Sequence, residues 1–188
     1  MKIIAGMWKG IFLKHPPPEL SRPTQERVKK SLFDILGPRI QEGEVLDLFA
    51  GSGSLGIEAL SRGAKEVIFV EWNSLCMKLL KENLEKLRAR KKAVCFEENV
   101  LKAIGKLARE KRTFDLIFMD PPYNKEVTIK CLRSIGKYDI LNPNAILVIR
   151  HSRKESLPPE ADDLNLWRQE HYGQTLLSFY RKNSERAE

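Results

Sequence analysis

The chain has 188 residues, 42% hydrophobic and 31% charged, the proportions of one globular domain that can bury a core, with no room for a second full domain. Its 33 lysines and arginines against 25 aspartates and glutamates leave a formal charge of +8, which favours polyanionic partners through steering and counterion release. Cys76, Cys95 and Cys131 form no CxxC pair, the N-terminus has no signal-peptide core, and no apolar run is long enough to span a bilayer, so buried free thiols, a cytoplasmic location, no membrane contact and no metal site are expected.

In chain order, residues 2–5 and 10–13 read as two short strands around a turn at Gly6, a small hairpin. The run His15-Pro16-Pro17-Pro18 follows, and because proline fixes φ and removes amide donors it reads as a stiff connector. Residues 1–20 thus stand apart from a main domain over 21–182, with 183–188 as a frayed tail. From Pro23 to Leu36, Val28, Leu32, Ile35 and Leu36 recur at helical spacing up to a Gly37-Pro38 stop, and Arg22, Arg27, Lys29 and Lys30 crowd the rest of that helix.

Strand-like and helical runs then alternate: strand 44–50, a helix from about 55, strand 66–71, helix 74–90, strand 93–97, helix 101–111, strand 114–119, helix 126–136 and strand 145–151. Such alternation predicts right-handed crossovers and a parallel sheet covered on both faces. Residues 164–171 and 174–181 flank Tyr172-Gly173 as an antiparallel hairpin. The fold class is therefore α/β: a Rossmann-like sheet of seven strands, mostly parallel, with an antiparallel C-terminal hairpin and a small N-terminal hairpin and helix.

Two stretches carry chemistry. In Leu46-Asp47-Leu48-Phe49-Ala50-Gly51-Ser52-Gly53-Ser54-Leu55-Gly56, the glycines at 51, 53 and 56 match a nucleotide-binding GxGxxG pattern at a strand-to-helix turn. Glu71 ends the next strand, where a carboxylate can hold two ribose hydroxyls. A nicotinamide dehydrogenase fits those features almost as well. Asp47 separates the two readings, because a pyrophosphate wants no anion beside it, whereas S-adenosylmethionine carries an ammonium and a sulfonium that a carboxylate favours. Its bland alternative is a strand-end carboxylate that caps the glycine loop.

The second stretch is Asp120-Pro121-Pro122-Tyr123, at the carboxyl end of strand 114–119, the edge where doubly wound sheets bind ligands. An amine on a purine ring is a poor nucleophile because its lone pair is delocalised, so a site that methylates it must accept its hydrogens while the nitrogen turns pyramidal. Asp120 and the Pro121 carbonyl suit that task, the Pro121-Pro122 pair makes their geometry rigid, and Tyr123 suits stacking on an extruded base.

The order of Ile3-Ile4-Ala5-Gly6, Arg22-Pro23-Thr24-Gln25-Glu26-Arg27-Val28, Leu46 to Gly53, Ala59-Leu60-Ser61-Arg62-Gly63-Ala64, an acidic strand end and Asp120 to Tyr123 resembles the bacterial small-subunit ribosomal RNA guanine-N2 methyltransferases over nearly the whole chain. The resemblance implies S-adenosylmethionine as cofactor, with Asp47, Gly51 and Gly53 at its methionine end and Glu71 on its ribose. Phe49, Ala50, Ser52, Trp72, Asn99 and Val100 complete the expected cofactor-binding set, Trp72 flanking the adenine or packing as a partly buried aromatic. Asn99 stands where the family generally has an aspartate, so an acceptor oxygen stays and the charge goes. The resemblance also implies small-subunit ribosomal RNA as partner, naked or in a partly assembled particle, met by Arg22, Thr24, Arg27 and Lys30 of a monomer. Ile11-Phe12 replaces the Arg-Lys pair that the family usually carries in its N-terminal hairpin.

The basic run 88–92 suits phosphate, or a favourable helix C-terminus against the macrodipole, and Trp8 suits RNA stacking or packing within the hairpin. His15, His151 and His171 suggest neither a metal site nor a triad. Rival readings are a DNA adenine-N6 methyltransferase, a non-catalytic RNA-binding assembly factor that keeps the fold, and, more distantly, the nicotinamide enzyme.

Overall fold

A computed structural model describes residues 1–17, 26–121 and 125–182. Its strands are β1 (Glu44–Leu48), β2 (Glu66–Val70), β3 (Ala93–Phe96), β4 (Phe114–Met119), β5 (Leu141–Ser152), β6 (Glu160–Ala161), β7 (Leu164–Tyr172) and β8 (Thr175–Lys182), and its α-helices are α1 (Glu26–Leu36), α2 (Ser54–Ser61), α3 (Ser74–Lys86), α4 (Val100–Arg109) and α5 (Lys125–Lys137). One sheet runs β3-β2-β1-β4-β5-β8-β7-β6. The first five of these strands are parallel, and β8, β7 and β6 pair antiparallel. Chain order reverses direction between β1 and β4, so the carboxyl ends of these two neighbours open the crevice where such sheets bind ligands.

Each face carries its own core. Val28, Leu32 and Phe33 of α1, Leu60 of α2 and Met77 and Leu80 of α3 share one buried cluster with Val45, Val67 and Phe118 of the sheet. Val100, Ile104 and Leu107 of α4 and Cys131, Leu132 and Ile135 of α5 cover the other face. Asn73 caps α3 by accepting from the amides of Leu75 and Cys76, at 3.0 and 3.1 Å.

Several boundaries differ from expectation. The sheet has an eighth strand, the two-residue β6, which adds Glu160 and Ala161 to the outer edge of β7. β5 begins at Leu141 instead of 145, since Leu141 pairs with Phe114 before a bulge lets Ile146 meet Leu116. α3 stops at Lys86, where Arg88 takes a φ of 53°, so the basic run 88–92 lies beyond the helix in a tight turn. Lys29 is no part of a solvated face: it is 1% exposed. Of the cysteines, Cys76 and Cys131 are buried and Cys95 only half-buried, all three as free thiols.

The N-terminal hairpin has a single bridge, Lys2 with Phe12, supported by backbone bonds from Ile3 to Ile11 and from Gly10 to Ile3. Its Ile3 and Leu13 enter the first core cluster, against which Trp8 and Ile11 also pack. Packing is therefore the role the structure shows for Trp8.

Candidate active site

The site is built from the carboxyl ends of three adjacent strands. Leu48 of β1 pairs with Val70 of β2 and with Met119 of β4, so Glu71 and Asp120, each one residue further on, emerge at the level of the glycine loop. The loop leaves β1 through Phe49, whose φ of 61° is left-handed and costly for a bulky side chain, about 1–3 kcal/mol. The Ala50 amide donates to the Val70 carbonyl at 3.0 Å and the Gly53 amide to the Ala50 carbonyl at 2.8 Å, which closes the turn into α2. The buried Asn83 of α3 donates to the Ser52 carbonyl at 3.0 Å and to the Lys14 carbonyl at 2.9 Å, so the loop and the exit of the hairpin share one anchor.

Asp47 is 1% exposed, and its Oδ2 accepts from the Gly56 amide at 2.8 Å. The bond realises the capping geometry, since it ties the end of β1 to the first turn of α2. Burial pushes the Asp47 carboxyl up to about 8; the Gly56 bond works against that shift, and the negative charges of Asp120 and Glu71 add to it. Glu71, 6% exposed, accepts from the Gly51 amide at 2.8 Å and from the Asn73 amide at 2.7 Å. Each oxygen keeps a second lone pair for a ligand hydroxyl.

Asp120 is held from a direction that sequence reasoning missed. Nε of Arg150 on β5 donates to its Oδ1 at 2.6 Å, with the two side chains 16% and 17% exposed respectively. The signal in the sequence is an arginine directly after the apolar run Ala145 to Ile149, next to the strand that ends in Asp120. Pro121 is buried, while Pro122 and Tyr123 lie outside the described residues.

The rest of the expected cofactor set divides. Trp72 is 70% exposed, so it is no partly buried strand-end aromatic, and Leu75 and Leu101 at the starts of α3 and α4 are exposed as well. Asn99 is exposed, and its Oδ1 caps α4 by accepting from the Leu101 amide at 2.9 Å. Val100 is in the second core cluster, and Ala50 and Ser52 are buried. Among the expected RNA contacts, Arg22 and Thr24 lie outside the described residues, Arg27 is exposed, and Lys30 is exposed with Asp34 at 3.5 Å. His151 donates to or accepts from Ser178 at 2.8 Å inside the core, a structural position. Among the described residues no group of three His, Cys, Asp or Glu side chains is arranged to hold a metal, and no helix is long and apolar enough to cross a membrane.

The arrangement fits a cationic ligand. The carboxyls of Asp47, Glu71 and Asp120 lie at one edge of the sheet beside backbone that can approach a ligand closely, and a cation there would favour the ionised form of Asp47, which burial otherwise disfavours. Known proteins resemble the chain over nearly its whole length. The family described as Conserved hypothetical protein 95 matches residues 1–181. The Bacillus subtilis protein YlbH, named as a candidate rRNA methyltransferase, is 38% identical over 97% of this chain and 99% of its own. The ribosomal RNA small subunit methyltransferase D of Haemophilus influenzae is 37% identical, with 84% of this chain and 81% of that one covered. Among solved structures, the Escherichia coli protein yhhF, described as a candidate methyltransferase, superposes with a TM-score of 0.86 at 27% identity, over 98% of each chain.

Proposed function

The chain belongs to the Conserved hypothetical protein 95 family, and from that premise we propose that it is a ribosomal RNA methyltransferase that transfers a methyl group from S-adenosylmethionine to the exocyclic N2 amine of a guanine in small-subunit RNA. The observation that carries this reading is the placement of Asp120 and Pro121 at the end of β4, level with the glycine loop and with Asp47 and Glu71 on the neighbouring strands.

S-adenosylmethionine supplies an electrophilic methyl group on a positively charged sulfur: the S–C bond breaks as the N–C bond forms, and a neutral thioether leaves. The residues that would hold it are Glu71, on the ribose hydroxyls, and Asp47 with Gly51 and Gly53 at the cationic methionine end. Phe49, Ala50, Ser52, Trp72, Asn99 and Val100 line the remainder, with the exposed Trp72 available to the adenine face. Asp120 accepts a hydrogen of the target amine while its nitrogen rehybridises, and the Pro121 carbonyl takes the other. After transfer the nitrogen carries the extra proton, which leaves through Asp120 to water. Positioning and electrostatics supply most of the acceleration.

RNA is the partner that the charge distribution suits. Residues 1–17 contain three lysines and no acid, and Phe12 is 66% exposed among them, with Lys2 5.8 Å from its ring centroid. Arg27 and Lys30 on α1, with Arg22 and Thr24 before it, complete the proposed RNA contacts, and the substrate is the RNA itself or a partly assembled particle, met by a monomer.

The test is mass spectrometry of nucleosides from small-subunit RNA of cells with and without the protein, together with cells that carry only Asp120→Ala. Loss of N2-methylguanosine in both deficient strains is the expected result, with a fall of about 10²–10⁴-fold in turnover for Asp120→Ala. An unchanged nucleoside profile overturns the reading.

A further inference from the structure

β5 carries apolar residues through the core as far as Ile149, which pairs with Met119 of β4, and then places a cation in the next position. One register step beyond that pair stand Asp120 and Arg150, joined by the 2.6 Å bond from Nε to Oδ1. On its other side β5 pairs with β8, where Arg150 meets the apolar Leu177, so the charge serves neither core nor sheet pairing. An arginine side chain loses much rotamer freedom when it is fixed, and two groups this far out of water have lost hydration as well. The position is therefore costly for the fold alone.

Its electrostatic setting supplies a reason. Arg150 of β5 is the cation bonded to Asp120, and the charges of Asp120 and of Glu71, just past the end of β2, both act on the buried Asp47 of β1. A carboxylate that must accept a hydrogen from an amine needs both its charge and a fixed plane. A planar guanidinium confers the second in a way that an ammonium does not. We propose that Arg150 is a positioning residue of the transfer site: it holds Oδ1 of Asp120, sets the plane of that carboxylate and keeps it ionised while the target amine is engaged. The inference rests on the reading of Asp120 as the acceptor of the amine hydrogen.

The experiment measures single-turnover methylation, with methyl-labelled S-adenosylmethionine, of small ribosomal subunits purified from cells that lack the protein. Wild type, Asp120→Ala, Arg150→Ala and Arg150→Lys are compared across pH, with thermal melting and S-adenosylhomocysteine calorimetry as controls of fold and cofactor binding. For Arg150→Ala the expected result is a rate lowered about 10²-fold, as for a misplaced reacting group, with cofactor affinity unchanged, the acid limb of the rate profile moved to higher pH, and part of the rate restored by added guanidinium. Arg150→Lys should keep the acid limb of the wild type and still react more slowly. A wild-type rate and profile in Arg150→Ala beside an inactive Asp120→Ala overturns the role of Arg150 alone, as does a rate loss that neither guanidinium nor lysine relieves and that leaves the acid limb in place. A near-normal rate in Asp120→Ala removes the transfer-site reading first, and this inference with it.

Discussion

Lys29 of α1 and Glu58 of α2 form an ion pair, Nζ to Oε2 at 3.1 Å, with both side chains 1% exposed or less. The N-terminal hairpin hangs from this pair: Glu58 also accepts from the amides of Ile4 and Ala5, each at 2.9 Å, and Lys29 donates to the Lys2 carbonyl at 2.8 Å. Burial lowers the Lys29 ammonium and the Glu58 carboxylate opposes that shift.

The two halves of this pair should not be equally costly to remove. Glu58→Ala leaves a buried ammonium with one carbonyl and orphans two hairpin amides, so a loss of about 3–5 kcal/mol is expected. Lys29→Met leaves Glu58 with the two amides and with Arg62 at 3.0 Å, and should cost about 1–3 kcal/mol. Urea unfolding of both variants checks the order, and equal losses would show that the hairpin is held by its apolar residues instead.

Gly6 should tolerate no side chain. Its φ is +82°, and an added Cβ would lie 1.8 Å from the Ser61 carbonyl oxygen, the same oxygen that accepts from the Met7 amide at 2.8 Å. Gly6→Ala should therefore cost about 3 kcal/mol or more, from strain plus overpacking. Gly10→Ala, at φ +89° with nothing within 4 Å, should cost only about 1–2 kcal/mol. Melting temperatures of the two variants compare them directly, and similar values would mean that the hairpin does not sit on α2.

Binding of S-adenosylmethionine should release a proton. The Asp47 carboxyl, raised to about 8, is mostly protonated at neutral pH in the ligand-free protein, whereas an aspartate of the unfolded chain, near about 3.9, is ionised. The folded state thus holds the extra proton between about pH 4 and 8, so this group's contribution makes stability fall as pH rises through that window. A cationic ligand favours the ionised form, so affinity should strengthen toward pH 8. Calorimetry at pH 7 in phosphate and in Tris should give different apparent enthalpies, and Asp47→Asn should abolish the difference. Equal enthalpies for the wild type would show that Asp47 does not titrate on binding.

On the RNA side, Phe12 and the cations should separate by salt dependence. Phe12→Ala should weaken binding of a small-subunit RNA fragment by about tenfold, the effect of one lost base stack, with the salt slope unchanged. Combined Arg27→Ala and Lys30→Ala should lower both affinity and slope, since phosphate contacts act through released counterions. Fluorescence anisotropy across a salt series measures both. A Phe12→Ala protein that binds normally would place RNA recognition away from the hairpin.

The glycine loop, Glu71 and Asp120 are legible in the amino-acid sequence because their chemistry is local: an acidic strand end, a turn that needs small residues and a proline-stiffened acidic corner each announce themselves within a few positions. The parallel sheet is legible for a similar reason, since each strand buried on both faces is an apolar run. Boundaries read less well. β5 starts early because a bulge, set by Phe114 and Leu116 on the partner strand, absorbs residues that look like a loop.

What the sequence by itself determined is therefore the order of elements and the residues presented at the carboxyl edge of the sheet. Only the tertiary structure decided which charges meet. Arg150 stands thirty positions after Asp120, and Glu58 twenty-nine after Lys29. Neither separation has a period that a helix or strand would reveal, and Arg150, Lys29 and Glu58, each taken alone, read as ordinary solvated charge. Their pairing follows from strand register and helix packing, which bring distant groups within hydrogen-bond reach and exclude the water that would otherwise make the encounter inconsequential.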